Sequence, residues 1–231
     1  MDAFDLSRTI IGVVAILAVV VFSFIKLFVK HNPITTKFIT RTAIFSAIAI
    51  ILYIVPYLKF PVPFFPAFLE IHFDEVPAFI AGFAYGPLSA FFIILVKTLV
   101  KLPLSSTMCV GELADFLYGV SFVIPAAFIY KKRRNFKSAL LGLGISTLVQ
   151  VTFASFFTTF VILNFYMFMM GLSRETILAM CQAINPGVTS LDWPFFFIVA
   201  LPFNLFKDVI IVAITILLYK RLHRVIDKIG Q

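Results

Sequence analysis

The chain has 231 residues, 61% of them hydrophobic and 13% charged, with 30 phenylalanines and a mean hydropathy of +1.07. Soluble domains carry about 25% charged residues, so this composition excludes one and points to a polytopic membrane protein. The net charge of +8 does not imply nucleic acid, because the basic clusters are short loops between apolar stretches and carry no aromatics spaced for base stacking.

A hydrocarbon core of about 30 Å needs about 20 apolar residues per spanning helix. The sequence supplies such stretches at 10–29, 38–58, 76–100, 110–130, 138–170 and 195–219. Asp2 and Asp5 precede the first stretch in place of a basic leader, and Lys26, Lys30 and Lys37 follow it. It therefore reads as an uncleaved helix with its N-terminus outside. That makes 1–36 an additional N-terminal transmembrane helix and 37–231 the main membrane domain.

In the second stretch, Ala43 and Ala47 form a small-xxx-small pair beside Ser46 and Ala49, a face that lets another helix backbone come close. The segment from Lys59 to Pro77 follows. Pro56, Pro61, Pro63 and Pro66 remove backbone donors and fix φ, so the chain here is expected to run extended, with its phenylalanines as a lid over a small, partly apolar ligand. Phe60, Pro61, Phe65, Phe68 and Leu69 are the expected apolar ligand contacts. Asp74 and Glu75 are expected to cap the next helix, and His72 has no partner spacing suited to a metal or to catalysis.

Gly86-Pro87 is expected to break the third stretch into half-helices 75–85 and 87–101. Lys97 and Lys101 share a face of the second from which both can snorkel to the outer surface, and that account is the expected one for Lys101. Glu112 and Asp115 begin the next helix, where carboxylates complement the N-terminal dipole. Cys109 and Cys181 fit no metal spacing, and a disulfide between them is left open. In the last stretch Asn204 and Lys207 are three residues apart on one face, with Asp208 about 100° around the helix. Two readings stand side by side: an internal ion pair that fixes packing, or donors to a ligand.

The charges sort by side. One face collects Lys26, Lys30, Lys37 and Arg41, then Lys131, Lys132, Arg133, Arg134 and Lys137, then Lys220, Arg221, Arg224 and Lys228. The positive-inside rule makes it cytoplasmic, with the C-terminus inside. Glu70, Asp74, Glu75, Glu112, Glu175 and Asp192 lie toward the other side. The ligand site is thus expected at the outer end, and the basic side is left for anionic lipid and partner proteins.

Taken in order, Ala43 and Ala47, the loop Phe60-Pro-Val-Pro-Phe-Phe-Pro-Ala-Phe-Leu69, Asp74-Glu-Val-Pro77, Tyr85-Gly-Pro87 leading to Lys97, Gly111-Glu-Leu-Ala-Asp-Phe116, Pro202-Phe-Asn-Leu-Phe-Lys207 and Leu-Tyr-Lys-Arg at 218–221 resemble the S-component of energy-coupling factor (ECF) vitamin transporters, the riboflavin type most closely. The resemblance covers about 38–225. It implies an all-α integral membrane protein in the cell membrane: a six-helix S-component bundle, here with the extra N-terminal helix. It further implies a transport subunit with no enzymatic activity, cofactor or metal, which binds riboflavin or a related flavin at its outer side. By the same resemblance Asn204 and Lys207 match ligand-contacting polar residues, and Lys97, Glu112, Asp115 and Thr158 join the substrate-binding set. The Ala43 and Ala47 face would dock onto a membrane T-component driven by two cytoplasmic ATPases, and the whole subunit would topple in the membrane to deliver its ligand.

Three positions depart from the riboflavin pattern. Thr98 follows Lys97, Asp115 precedes Phe116, and Thr158 stands where an asparagine would meet the ring edge. A lost amide leaves ligand groups unpaired at about 1–3 kcal/mol, which keeps another vitamin, such as pantothenate, as the alternative. An ion-coupled secondary carrier using Lys207 and Asp208 would show two inverted halves, and the sequence has no internal repeat. An intramembrane enzyme using Glu70, His72 and Asp74 lacks paired catalytic spacing. The sequence has no Walker motif, so ATP hydrolysis falls to partner chains.

Overall fold

The structure, a computed structural model, describes residues 34–105 and 107–229. The expected N-terminal helix at 10–29 lies outside the described residues. The compact unit begins at Thr40. Its elements are almost all helical: α1 (Thr36–Ile54), a two-stranded hairpin of β1 (Phe60–Pro61) and β2 (Glu70–Ile71), α2 (Glu75–Tyr85), α3 (Pro87–Lys101), α4 (Val110–Lys132), α5 (Phe136–Phe157), α6 (Leu163–Met170), α7 (Arg174–Gln182) and α8 (Leu201–Ile229). A π-helical segment, Thr158–Ile162, joins α5 to α6, and another, Phe196–Ala200, leads from the short turn Trp193–Phe195 into α8.

Among the described residues, five continuous helical stretches are long and apolar enough to cross a membrane: Thr36–Ile54, Pro87–Leu104, Val110–Lys132, Phe136–Met170 and Trp193–His223. α2, with 11 residues, is about 16 Å long at 1.5 Å per residue and completes the bundle without spanning it alone. This is a multi-pass membrane protein. Apolar side chains face outward along the bundle, with Leu148 70% and Leu217 64% exposed, as a lipid-facing surface requires. In lipid no hydrophobic drive pulls helices together, so cohesion rests on close packing and polar contacts. At Gly142 an added Cβ would lie 3.0 Å from the Ala126 carbonyl oxygen, which shows how closely α4 and α5 approach. Toward the end away from the hairpin, Phe83, Tyr130 and Tyr219 pack ring against ring.

Local chemistry accounts for the boundaries. Gly86 takes φ 96°, a conformation open to glycine, and Pro87 opens α3 with the φ a first turn needs, so the break falls where the sequence puts it. Asn135 Oδ1 accepts from the Ser138 amide at 2.8 Å to start α5, and Ser173 Oγ accepts from Thr176 to start α7. The 171–194 region, between the last two apolar stretches, contains α7. Ile177, Cys181, Val188 and Leu191 pack there with Leu163 and Phe195. Burial in this cluster pushes the Cys181 thiol up to about 11. Cys181 and Cys109 are both free thiols, which answers the open disulfide question.

The proline-aromatic segment, expected to run extended, is extended only where Phe60 pairs opposite Ile71 and Pro61 opposite Glu70; between these strands residues 62–65 and 66–69 close turns, and Pro56–Leu58 is a 3-10 turn. Lys59 Nζ lies 3.4 Å from Glu70 Oε2 and closes the hairpin base. The turn exposes Phe64, whereas Phe65 tucks back against Phe203 with ring centroids 5.3 Å apart.

Candidate functional site

A cavity of about 160 Å³ opens at the hairpin end of the bundle. Of the residues expected from sequence, Phe68, Leu69, Glu112, Asp115, Thr158, Asn204 and Lys207 line it. Phe60, Pro61, Phe65 and Lys97 do not. Phe60 packs on Phe73 within the hairpin base and Phe65 on α8, while Lys97 lies wholly buried. Sequence reasoning missed Tyr53, Lys59, His72, Gly111, Tyr118, Tyr166 and Phe203, all of which contribute wall, and it placed Lys101 at the surface although it too lines the cavity.

The polar groups form one connected network from α1 to α8. Tyr53 donates its hydroxyl to Asp115 Oδ2 at 2.6 Å. His72 Nε2 lies 3.5 Å from the same oxygen, and its Nδ1 meets Asp74 and stands 3.8 Å from Glu75 Oε2. Asp74 also pairs with Lys97, and Glu75 Oε1 lies 3.7 Å from Lys207 Nζ. Every member except Asp115 is at least nine-tenths buried.

Several expectations are corrected here. Asp74 sits at the N-cap position of α2 with helical backbone angles and makes no side-chain cap bond; its carboxylate goes to Lys97 and His72. A cap contributes about 1 kcal/mol, whereas an unpaired ammonium inside a bundle costs several, so the ion pair takes the side chain. For the same reason Lys97 does not snorkel. Glu75 turns inward to Lys207 and does not cap. Glu112 does lie in the first turn of α4, but its Oε2 also accepts from Ser105 Oγ at 2.6 Å and Thr107 Oγ1 at 2.9 Å. Asp115 serves Tyr53 and His72 and sits beyond the reach of the helix terminus.

Asn204 and Lys207 do share a face, and Lys207 both pairs with Glu75 and lines the cavity. Asn204 departs from expectation. Its Nδ2 donates to Ser155 Oγ at 3.2 Å and to the Ala200 carbonyl at 2.8 Å, so both donors are used within the protein and the amide offers Oδ1 as an acceptor. Asp208 is fully buried, and among the described residues neither of its oxygens has a hydrogen-bond partner. His72, Asp74 and Glu75 bring ligand atoms within 4.8 Å of one another, a spacing that suits a metal ion. The protein's own ammonium groups, Lys97 and Lys207, already face those two carboxylates.

The first π-helical segment borders the cavity, and the second leads into the helix that carries Phe203, Asn204 and Lys207. Each adds one residue to a helical turn, which re-aims the side chains that follow, a distortion frequent at functional sites. Thr158 and Ile162 of the first segment face the cavity, and Thr158 Oγ1 lies 2.7 Å from the Tyr118 hydroxyl. Nothing in Thr158-Thr-Phe-Val-Ile162 marks this from sequence.

Residues 37–219 match the family described as ECF transporter, substrate-specific component. The chain is 34% identical over 200 residues to the riboflavin transporter RibU of Staphylococcus aureus (strain TCH60), covering 87% of this chain and 97% of that protein. It is 26% identical over 193 residues to the riboflavin transporter FmnP of Bacillus subtilis (strain 168), covering 82% and 95%. A solved structure of the S component of a bacterial ECF transporter superposes with a TM-score of 0.62 at 34% identity, covering 81% of this chain and 96% of that one.

Proposed function

The chain belongs to the substrate-specific components of ECF transporters, and from that premise we propose that it captures riboflavin or a close flavin in the cavity beneath the hairpin. One observation carries this reading: a cavity with aromatic and aliphatic walls, Phe68, Leu69, Tyr118 and Phe203, is rimmed by oriented polar groups, which suits a flat apolar ring system with a polar edge. Asn204 Oδ1 is an acceptor for a ring imide N–H, and the Lys207 ammonium stands three residues on as a donor to a ring carbonyl. Support comes also from the two similar proteins, which are riboflavin transporters.

The energy-coupling partners follow from the family; the finer assignment to a T-component and two ATPases is part of the proposal. Ala43 and Ala47 lie exposed on α1, flanked by exposed Ile44, Ile48 and Ile51, a face another helix can approach closely. The basic loop from Lys131 to Lys137 and the Lys220-Arg221 end of α8 lie at the end away from the hairpin, which supports a cytoplasmic position for that end and an outward-facing cavity.

The test is direct. The purified chain, stripped of bound ligand, is titrated with riboflavin and followed by quenching of flavin fluorescence. Saturable one-to-one binding is expected; a ligand-free preparation that does not bind riboflavin overturns the vitamin assignment, and uptake that persists without any ATPase partner overturns the ECF mechanism. A finer check concerns Gly111, where an added Cβ would lie 2.8 Å from the Tyr166 hydroxyl and 2.9 Å from Thr107 Oγ1. Gly111→Ala therefore moves the cavity wall, and riboflavin affinity is expected to fall about tenfold or more, a loss of about 1.4 kcal/mol, in the same titration.

A further inference from the structure

Among the spans in the described residues, helix α1 is the least embedded: 22% of its apolar window is buried, against 39% or more for the other four. Its buried residues, Thr42, Ser46, Ala49 and Tyr53, form one narrow stripe. Among the described residues, two side-chain hydrogen bonds tie that stripe to the bundle. Thr42 Oγ1 lies 2.9 Å from Ser89 Oγ toward the end away from the hairpin, where Phe45 also packs on Tyr85. At the hairpin end the tie is Tyr53 to Asp115.

The two ties differ in what else can reach them. Thr42 and Ser89 are enclosed by protein, whereas Tyr53 and Asp115 both line the ligand cavity. Asp115 Oδ2 is the acceptor for Tyr53 and also the oxygen nearest His72, so a ligand donor that takes this oxygen competes with the Tyr53 hydroxyl. The Tyr53 ring is itself held in a charged setting, with Lys97, Lys59 and Lys101 ammonium groups 4.9, 5.7 and 6.0 Å from its centroid. Such a bond to a carboxylate in a poorly solvated site is strong while it lasts, and it has two discrete states, made or replaced.

We propose that Tyr53 is a positioning residue: its hydrogen bond to Asp115 latches the hairpin end of α1 in the empty protein, and a ligand that engages Asp115 releases it. The proposal rests on the flavin-binding reading above, because α1 is also the helix that presents Ala43 and Ala47. Occupancy of the cavity then sets the freedom of the docking helix, with α1 pivoting about the Thr42–Ser89 end. A loaded subunit thereby differs from an empty one on the surface a membrane partner meets.

The experiment places nitroxide pairs on full-length protein carrying Cys109→Ser, with Cys181 left in its buried cluster. One pair, Ile51→Cys with Leu148→Cys, reports the hairpin half of α1; the other, Ile44→Cys with Leu141→Cys, reports the pivot end. All four native side chains are exposed. Saturating riboflavin is expected to shift the first distance by about 2 Å or more and to leave the second unchanged. Tyr53→Phe without riboflavin is expected to show the shifted distance already, and Asp115→Asn, which weakens the same bond, to do likewise. An empty Tyr53→Phe distribution that overlays the empty parent overturns the latch. If the parent fails to quench riboflavin fluorescence, the ligand assignment falls, while the latch is still decided by the comparison of the two empty proteins.

Discussion

Lys97→Met is expected to destabilise the empty protein by about 3–5 kcal/mol, because it leaves the Asp74 carboxylate buried without its ammonium partner. Asp74 and Lys97 are both fully buried, so neither can recover the loss by turning to water. In a chain of this size such a loss lowers the unfolding midpoint by roughly 10 °C or more, which is readable by thermal scanning of the detergent-solubilised protein. The double variant Lys97→Met with Asp74→Asn removes both charges and keeps an acceptor for His72, and it should recover most of the difference. A single variant that unfolds within about 1 kcal/mol of the parent would show that the pair does not hold α2 to α3. The double-mutant cycle separates the pair's coupling from the cost of either truncation.

Lys207→Ala is the largest expected effect on binding. The ammonium lines the cavity and is 3.7 Å from Glu75, so its removal takes away a ligand donor and also strands a carboxylate. Hydrogen bonds to charged groups contribute about 1.5–3 kcal/mol, and riboflavin affinity should fall about tenfold to a hundredfold. Lys207→Ala combined with Glu75→Gln distinguishes the two contributions. If the loss comes from the stranded carboxylate, the double variant binds riboflavin like the parent; if Lys207 meets the flavin, affinity stays low in both. Unchanged affinity in the single variant would return Lys207 to a packing role alone.

What could be read from sequence was local. The Gly86-Pro87 break was legible because a missing amide hydrogen and an unusual φ act within one turn. The shared face of Asn204 and Lys207 was legible because helical periodicity fixes it, and seven of the expected contact residues do border one cavity. The network beneath was not legible. Lys97 lies 23 residues from Asp74 and Tyr53 lies 62 from Asp115, and no short-range pattern encodes such pairings. Tyr53 carried no mark of its own, since an aromatic at the end of a span is ordinary interfacial chemistry. Asp74 misled because its position fits a cap, and only the arrival of α3 shows why its carboxylate is needed elsewhere. The donor role expected of Asn204 failed for a similar reason: Ser155 and its own helix use the amide first.

The π-helical segment at Thr158–Ile162 bears on how this scaffold diversifies. A π turn is an α-helix with one residue too many, so excising a single codon there would restore regular winding. It would also swing every later side chain by about 100°. Ile162, Leu163 and Tyr166 would leave the cavity together, and three new side chains would enter, while α5 and its packing on α4 stayed as they are. Changes of vitamin specificity on such a bundle are therefore open to one-residue insertions and deletions, a route that comparisons restricted to substitutions would overlook.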